Sequence, residues 1–111
     1  LIDRKIAEHY TWGEICDGWH LLKGETLSVI EERIPPGGSE IAHHHQHARQ
    51  FFYVLTGVLS FEMNGGLMDV APRQGIEIKP GTKHRVFNRG TTDAEFLVVS
   101  NPPTKGDRVT T

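Results

Sequence analysis

The chain has a single cysteine, Cys16. It therefore holds no internal disulfide framework, and a reducing, cytoplasmic setting is expected. No apolar run approaches the roughly 18 residues of a membrane helix. The first residues, Leu1-Ile2-Asp3-Arg4-Lys5-Ile6, carry charges where a secretory leader would be apolar. Net charge is only −2 and the basic side chains are scattered, so neither a nucleic-acid surface nor a membrane partner is expected. Internal repeats and low-complexity tracts are absent, and no stretch keeps a helical period. With 111 residues there is enough chain for one core and one domain.

What the sequence does have is short extended runs broken by turn residues. Leu27–Ile34 is rich in strand formers and stops at Pro35-Pro36-Gly37-Gly38. Phe51–Leu55, Val58–Met63, Leu67–Ala71, Ile76–Lys79, His84–Asn88 and Ala94–Ser100 follow, separated by Gly, Pro and Asp turns. Asn64-Gly65 between two of these runs is a hairpin signal. Turns every eight to twelve residues point to an all-β sandwich or barrel. The core is expected over about 25–101, with 1–24 as an arm or extra strands and 102–111 as a polar tail. Residues 1–11 are expected to be irregular or to form an arm. Gly13 and Asp17-Gly18 suggest a turn between two short extended pieces. Trp12 and Trp19 are expected to close one end of the core or to line a subunit contact, with a ligand-pocket wall as the alternative for one of them.

Four of the seven histidines fall at positions 43, 44, 45 and 47. Alternate side chains of a strand share a face. His43, His45 and His47 therefore point one way if the strand continues that far, and His44 points the other. Neutral imidazole ligates Zn, Cu, Fe and Ni, so the run suggests a metal site inside the barrel. His9, His20 and His44 are expected in loops or at the surface. Further along, Gln50, Phe52 and Val54 share one face, and Phe51, Tyr53 and Leu55 the other. Two apolar faces on one strand imply that both are covered, so a homodimer is expected.

These residues resemble the cupin superfamily. Its first motif runs Gly, five residues, His-x-His, three or four residues, Glu, six residues, Gly. Gly37, His43, His45, Gln50 and Gly57 stand at those spacings, with Gln in place of Glu. Its second motif runs Gly, five residues, Pro-x-Gly, two residues, His, three residues, Asn. Gly81, His84 and Asn88 match it, whereas Arg73 and Lys79 replace the expected Gly and Pro. The resemblance implies a small single-domain cupin: an all-β double-stranded β-helix, or jelly-roll β-barrel, with a metal site at its inner end. It maps the ligands to His43, His45, Gln50 and His84, and leaves His47 at the pocket mouth with Arg49. The strand alternation is consistent with that set. Gly81 would let the backbone pass close to it.

A neutral amide at position 50 is a weaker donor than a carboxylate, which shifts preference towards Ni²⁺, Zn²⁺, Cu²⁺ and, less tightly, Fe²⁺. The resemblance implies a metal-dependent enzyme, dioxygenase- or isomerase-like, acting on a small polar molecule. The alternative is a non-enzymatic module that binds or senses a small ligand. No acid–base pair is evident beside the histidines.

Overall fold

The computed structural model describes residues 1–110, all β and without a helix among them. Eleven strands follow in order: β1 (Glu8–Trp12), β2 (Cys16–Lys23), β3 (Ser28–Ile34), β4 (His44–His45), β5 (Arg49–Thr56), β6 (Leu59–Met63), β7 (Gly66–Val70), β8 (Gly75–Ile78), β9 (His84–Phe87), β10 (Ala94–Asn101) and β11 (Arg108–Val109). Six of them form one antiparallel sheet in the order β1-β2-β3-β10-β5-β8. The facing layer consists of β7-β6-β9 and the short pair β11-β4. Bridges from Ser39 to Phe87 and from His43 to His84 join these two pieces. The expected all-β double-stranded architecture is therefore present.

Alternation decides what lies between the layers. Along β10, Ala94, Phe96, Val98 and Ser100 are buried while the residues between them are more exposed. On β5 the buried set is Gln50, Phe52 and Val54. Phe52 packs edge-on to Phe61, with ring centroids 5.1 Å apart, and lies 5.9 Å from Phe96. With Ile34, Leu59, Val70, Ile78 and Val86 these rings make one apolar core. Each large ring buried there removes about 150–250 Å² from water. The core fills one end of the space between the sheets and leaves the other end for polar side chains.

The Asn64-Gly65 hairpin has positive φ at both residues, 52° and 76°, as the tightest two-residue turn requires. Gly57 has no alternative, because a Cβ there would lie 2.1 Å from the carbonyl oxygen of Asp93. Asn88 is buried and fully used: its amide donates to Ile34 O and Thr92 O, and its oxygen accepts from Gly90 N. It ties the loop after β9 to the end of β3.

Several expectations at the termini need correction. Residues 8–12 are not irregular; they form β1, paired with β2 in register Tyr10 to Gly18. The turn covers 13–15, so Asp17-Gly18 lies inside β2. Within the polar tail, Arg108 and Val109 pair with His45 and His44. Gly81 is needed for its φ of +81° and not for closeness, because nothing lies within 4 Å of a Cβ built there.

Candidate metal centre

The site is built by three chain segments. His43 and His84 face each other as an antiparallel bridge, with His43 N donating to His84 O (3.0 Å) and His84 N to His43 O (2.8 Å). His45 follows two residues on, so its ring falls on the same inner face. The ring centroids lie 4.9 Å (43–45), 4.6 Å (43–84) and 6.0 Å (45–84) apart. One nitrogen from each ring lies within 4.8 Å of the other two. All three side chains are buried.

Backbone carbonyls orient two of the rings. Nδ1 of His43 lies 2.9 Å from Ile41 O, and Nδ1 of His84 lies 2.9 Å from Thr82 O. An N–H donating there leaves Nε2 with a free lone pair, which is how ligating histidines are commonly held. His84 Nε2 is buried without a partner, and so is His45 Nδ1. Gln50 supplies a third such atom: its amide NH₂ donates to Ser100 Oγ (3.2 Å), while its carbonyl oxygen has no partner. Buried polar atoms are nearly always paired, so three such atoms among the residues of one cavity fit a cation or polar ligand there. Desolvation pushes His43 and His45 down to about 4, and His84 downward as well. The imidazoles are neutral near pH 7, the form that ligates. Three neutral nitrogens and one amide oxygen suit a borderline divalent transition metal.

His47 and Arg49 do not stand at the mouth. Both are exposed and neither lines the cavity. The strand alternation ends at His45, because the chain bends where the backbone N–H groups of His47 and Ala48 donate to the Asp107 carboxylate. Arg49 points outward, with Nε 3.6 Å from a Glu77 oxygen. Ile41, which alternation puts on the inner face, is exposed. His44 is half-buried on β4 and His9 pairs with Asp17 at 2.8 Å. His20 is not in a loop; it lies on β2 with its ring 5.0 Å from Tyr10.

The remaining lining comes from residues of which the sequence reading weighed only Trp12 as a pocket wall. Besides the histidines, the cavity of about 210 Å³ is lined by Tyr10, Trp12, Glu32, Glu40, Thr104 and Arg108. Trp12 therefore walls a pocket, while Trp19 sits outside with the Arg4 guanidinium 3.8 Å above its ring. Glu32 accepts a hydrogen bond from Tyr10 Oη at 2.7 Å. Glu40 accepts one from Val86 N at 3.0 Å and lies 3.8 Å from His43 Nδ1. Burial raises both carboxyls, Glu32 to about 7 and Glu40 to about 8. The signal for Glu32 was in the sequence: on β3 it shares the inner face with Ile30 and Ile34, a lone acid in an apolar row.

Residues 30–100 match the family model of the cupin domain. The chain belongs to the cupin family. Among similar proteins is the oxalate-binding protein of Thermotoga maritima, 33% identical over 85 residues, which are 72% of this chain and 70% of that one. The fold of this cupin is shared by KdgF from a Halomonas species, with a TM-score of 0.84 at 14% identity, covering 94% of this chain and 95% of that one. It is also shared by the polyketide cyclase RemF from Streptomyces resistomycificus, with a TM-score of 0.82 at 22% identity over 93% of this cupin and 81% of RemF. Among the described residues, no helix is long and apolar enough to cross a membrane.

Proposed function

We propose that this cupin binds one divalent metal ion through His43, His45 and His84, with the Gln50 oxygen as a fourth donor, and that it is a metal-dependent enzyme. The observation that carries the reading is the convergence of three buried, neutral imidazoles with partnerless polar atoms beside them. Ni, Zn, Cu or Fe suits the donor set. When bound, such an ion polarises a substrate oxygen and fixes its orientation.

The chain's own residues do the rest. Phe52, Val86 and Val98 give the cavity an apolar part of its lining. Glu32 and Glu40 stand ready to move protons, which favours isomerase-like over dioxygenase-like chemistry. A cavity of about 210 Å³ lies below the roughly 300–1,000 Å³ of ordinary drug-sized pockets, so the substrate is a small polar molecule. A second reading, binding without turnover, is supported by the name of the T. maritima relative, an oxalate-binding protein. The outer face of β5 presents Phe51 and Leu55, each about two-fifths exposed (43% and 39%), which supports a homodimer. The lone Cys16 fits a cytoplasmic setting.

Elemental analysis of protein purified without a histidine-affinity step tests the reading. About one equivalent of transition metal per chain is expected. A chain that takes up no Zn²⁺, Ni²⁺ or Fe²⁺ stoichiometrically would overturn it. Turnover of small oxo or hydroxy compounds by the loaded protein separates the enzyme from the binding module.

A further inference from the structure

One row of residues crosses the large sheet opposite the histidines: Tyr10 on β1 pairs with Gly18 on β2, Gly18 with Glu32 on β3, Glu32 with Phe96 on β10, and Phe96 with Val54 on β5. The inner face of this row is apolar except for Tyr10 and Glu32. They meet across the glycine, with Tyr10 Oη donating to Glu32 Oε2 at 2.7 Å. Gly18 is there for that purpose, since a Cβ would lie 2.1 Å from the tyrosine ring. The ring needs the space that a side chain at position 18 would take. Three strands thus cooperate to hold one phenol on one carboxyl, inside a cavity whose other end carries the histidines.

Among the described residues Glu32 has no ion pair, and the one side-chain hydrogen bond it takes is from Tyr10. The charged and titratable groups that face it are Tyr10, Cys16 on β2, Glu40 from the segment before β4, and Arg108 on β11, with His20 behind Tyr10. Desolvation is the largest influence and brings its proton affinity to about neutrality, while Tyr10 and Arg108 pull the other way. A group of this kind gives up and retakes a proton near pH 7. Arg108 adds a cation at the mouth, where a carboxylate can rest.

We propose that Glu32, oriented by Tyr10, exchanges a proton with the carbon beside the keto carbonyl of a small 2-oxo acid lying between the histidines and Arg108. The proposal rests on the metal reading, because the carbonyl oxygen must lie at the histidine end. In the forward step the substrate C–H bond breaks and an O–H bond forms on Glu32. The electron pair moves onto the carbonyl oxygen, giving an enolate. Return of the proton to the carbon reverses the step. Nothing is oxidised and no co-reactant is consumed. Tyr10 keeps its hydrogen bond to Glu32 and is a positioning residue.

The test uses the full chain loaded with Zn²⁺, carrying ¹³C at glutamate carboxyls, with pyruvate as probe. One carboxyl resonance, absent in Glu32→Gln, is expected to titrate near neutrality and to move when pyruvate is added. In Tyr10→Phe its midpoint should rise, because the lost hydrogen bond favoured the carboxylate. In D₂O the pyruvate methyl protons should exchange faster than with equal free Zn²⁺. Glu32→Gln should slow that exchange at least 100-fold at unchanged zinc content. Tyr10→Phe should slow it about tenfold and shift its pH midpoint upward, which a merely structural role would not do. A Glu32 resonance indifferent to pyruvate, or exchange unaffected by Glu32→Gln, would overturn the proposal. Failure of the metal reading shows separately, as wild-type protein that takes up no stoichiometric Zn²⁺.

Discussion

The cavity has two ends that are desolvated alike and respond oppositely. At one end, burial lowers the imidazoles of His43 and His45 to about 4. At the other, burial raises Glu32 to about 7, and it raises Glu40, whose carboxyl lies 3.8 Å from His43 Nδ1, to about 8. In both cases the cavity rejects the charged form. The consequence at neutral pH is chemical specialisation. The histidine end offers bare lone pairs to a cation, and Glu32 offers a carboxyl that is only partly ionised. Protonation rather than shape separates a ligating wall from a proton-transferring wall in the same small space.

The largest effect that tests this division is loss of the metal. Replacing His43, His45 or His84 by Ala should abolish stoichiometric Zn²⁺ uptake, read by elemental analysis after dialysis. His44→Ala and His20→Ala should leave it nearly intact, since neither ring lines the cavity. Equal loss for His44→Ala would break the assignment of ends. Glu32→Gln should also keep the metal, because it alters only the opposite wall.

Next in size is the pH dependence of stability in metal-free protein. For His43 and His45 the folded value of about 4 lies below the ordinary 6.5, so the unfolded chain takes up protons first. Their contribution is complete above pH 6.5 and is lost as pH falls towards 4. For Glu32 and Glu40 the folded values of about 7 and 8 lie above the ordinary 4.5. Here the contribution is complete below pH 4.5 and is lost as pH rises through 7 and 8. The two trends oppose each other between about pH 4.5 and 6.5 and leave a net decline above it. Urea melts from pH 4 to 9 with EDTA present should show this decline. Glu32→Gln should remove the smaller part of it, on the order of 1 kcal/mol or less, because Glu32 stops losing protons at about 7. A curve with no loss between pH 6.5 and 8 would contradict the carboxyl half of the comparison.

Much of the histidine end can be read in the sequence, and little of the carboxyl end. His43-x-His45 needs only strand alternation, and His84 follows Gly81 at a family spacing. These are local features. Tyr10 and Arg108 reach the cavity through pairings that are remote in sequence, β1 on β2 and β11 on β4. No local pattern in residues 1–11 or 102–111 shows such partners. Glu32 lies between these cases. Its inward direction follows from Ile30 and Ile34, yet a charged residue in a run of Glu31-Glu32-Arg33 looks like a solvated surface. His47 misleads for a related reason: alternation holds only as long as the strand does. Asp107, some 60 residues away, ends it. Arg73 shows how a motif departs from a family without losing its shape, because it takes a φ of +67°, the conformation for which the usual Gly is suited.

A smaller effect sharpens the histidine end. Gln50→Glu would place a carboxylate where a partnerless amide oxygen now faces the cavity. A charged oxygen donor favours harder ions, so binding of Mn²⁺ or Fe²⁺ should tighten about tenfold, about 1.4 kcal/mol. Competition titrations against a fluorescent chelator would read it. Unchanged affinity would mean that residue 50 does not reach the ion.

The smallest effect comes from Arg108, which acts on both ends with the same sign. Its positive charge lowers Glu32 and Glu40, and it lowers His43, His45 and His84 as well. Desolvation pushes the two ends apart, whereas this charge slides them together along the pH axis. Arg108→Gln should therefore move the acid and alkaline limbs of the metal-free stability curve to higher pH in parallel. A displacement of a few tenths of a pH unit is expected for one exposed, screened charge, about half a kcal/mol per group. Denaturant midpoints at closely spaced pH values resolve that shift. Limbs that move in opposite directions would show that Arg108 changes the hydration of the cavity rather than its potential, and the symmetry between the two ends would then be set by water.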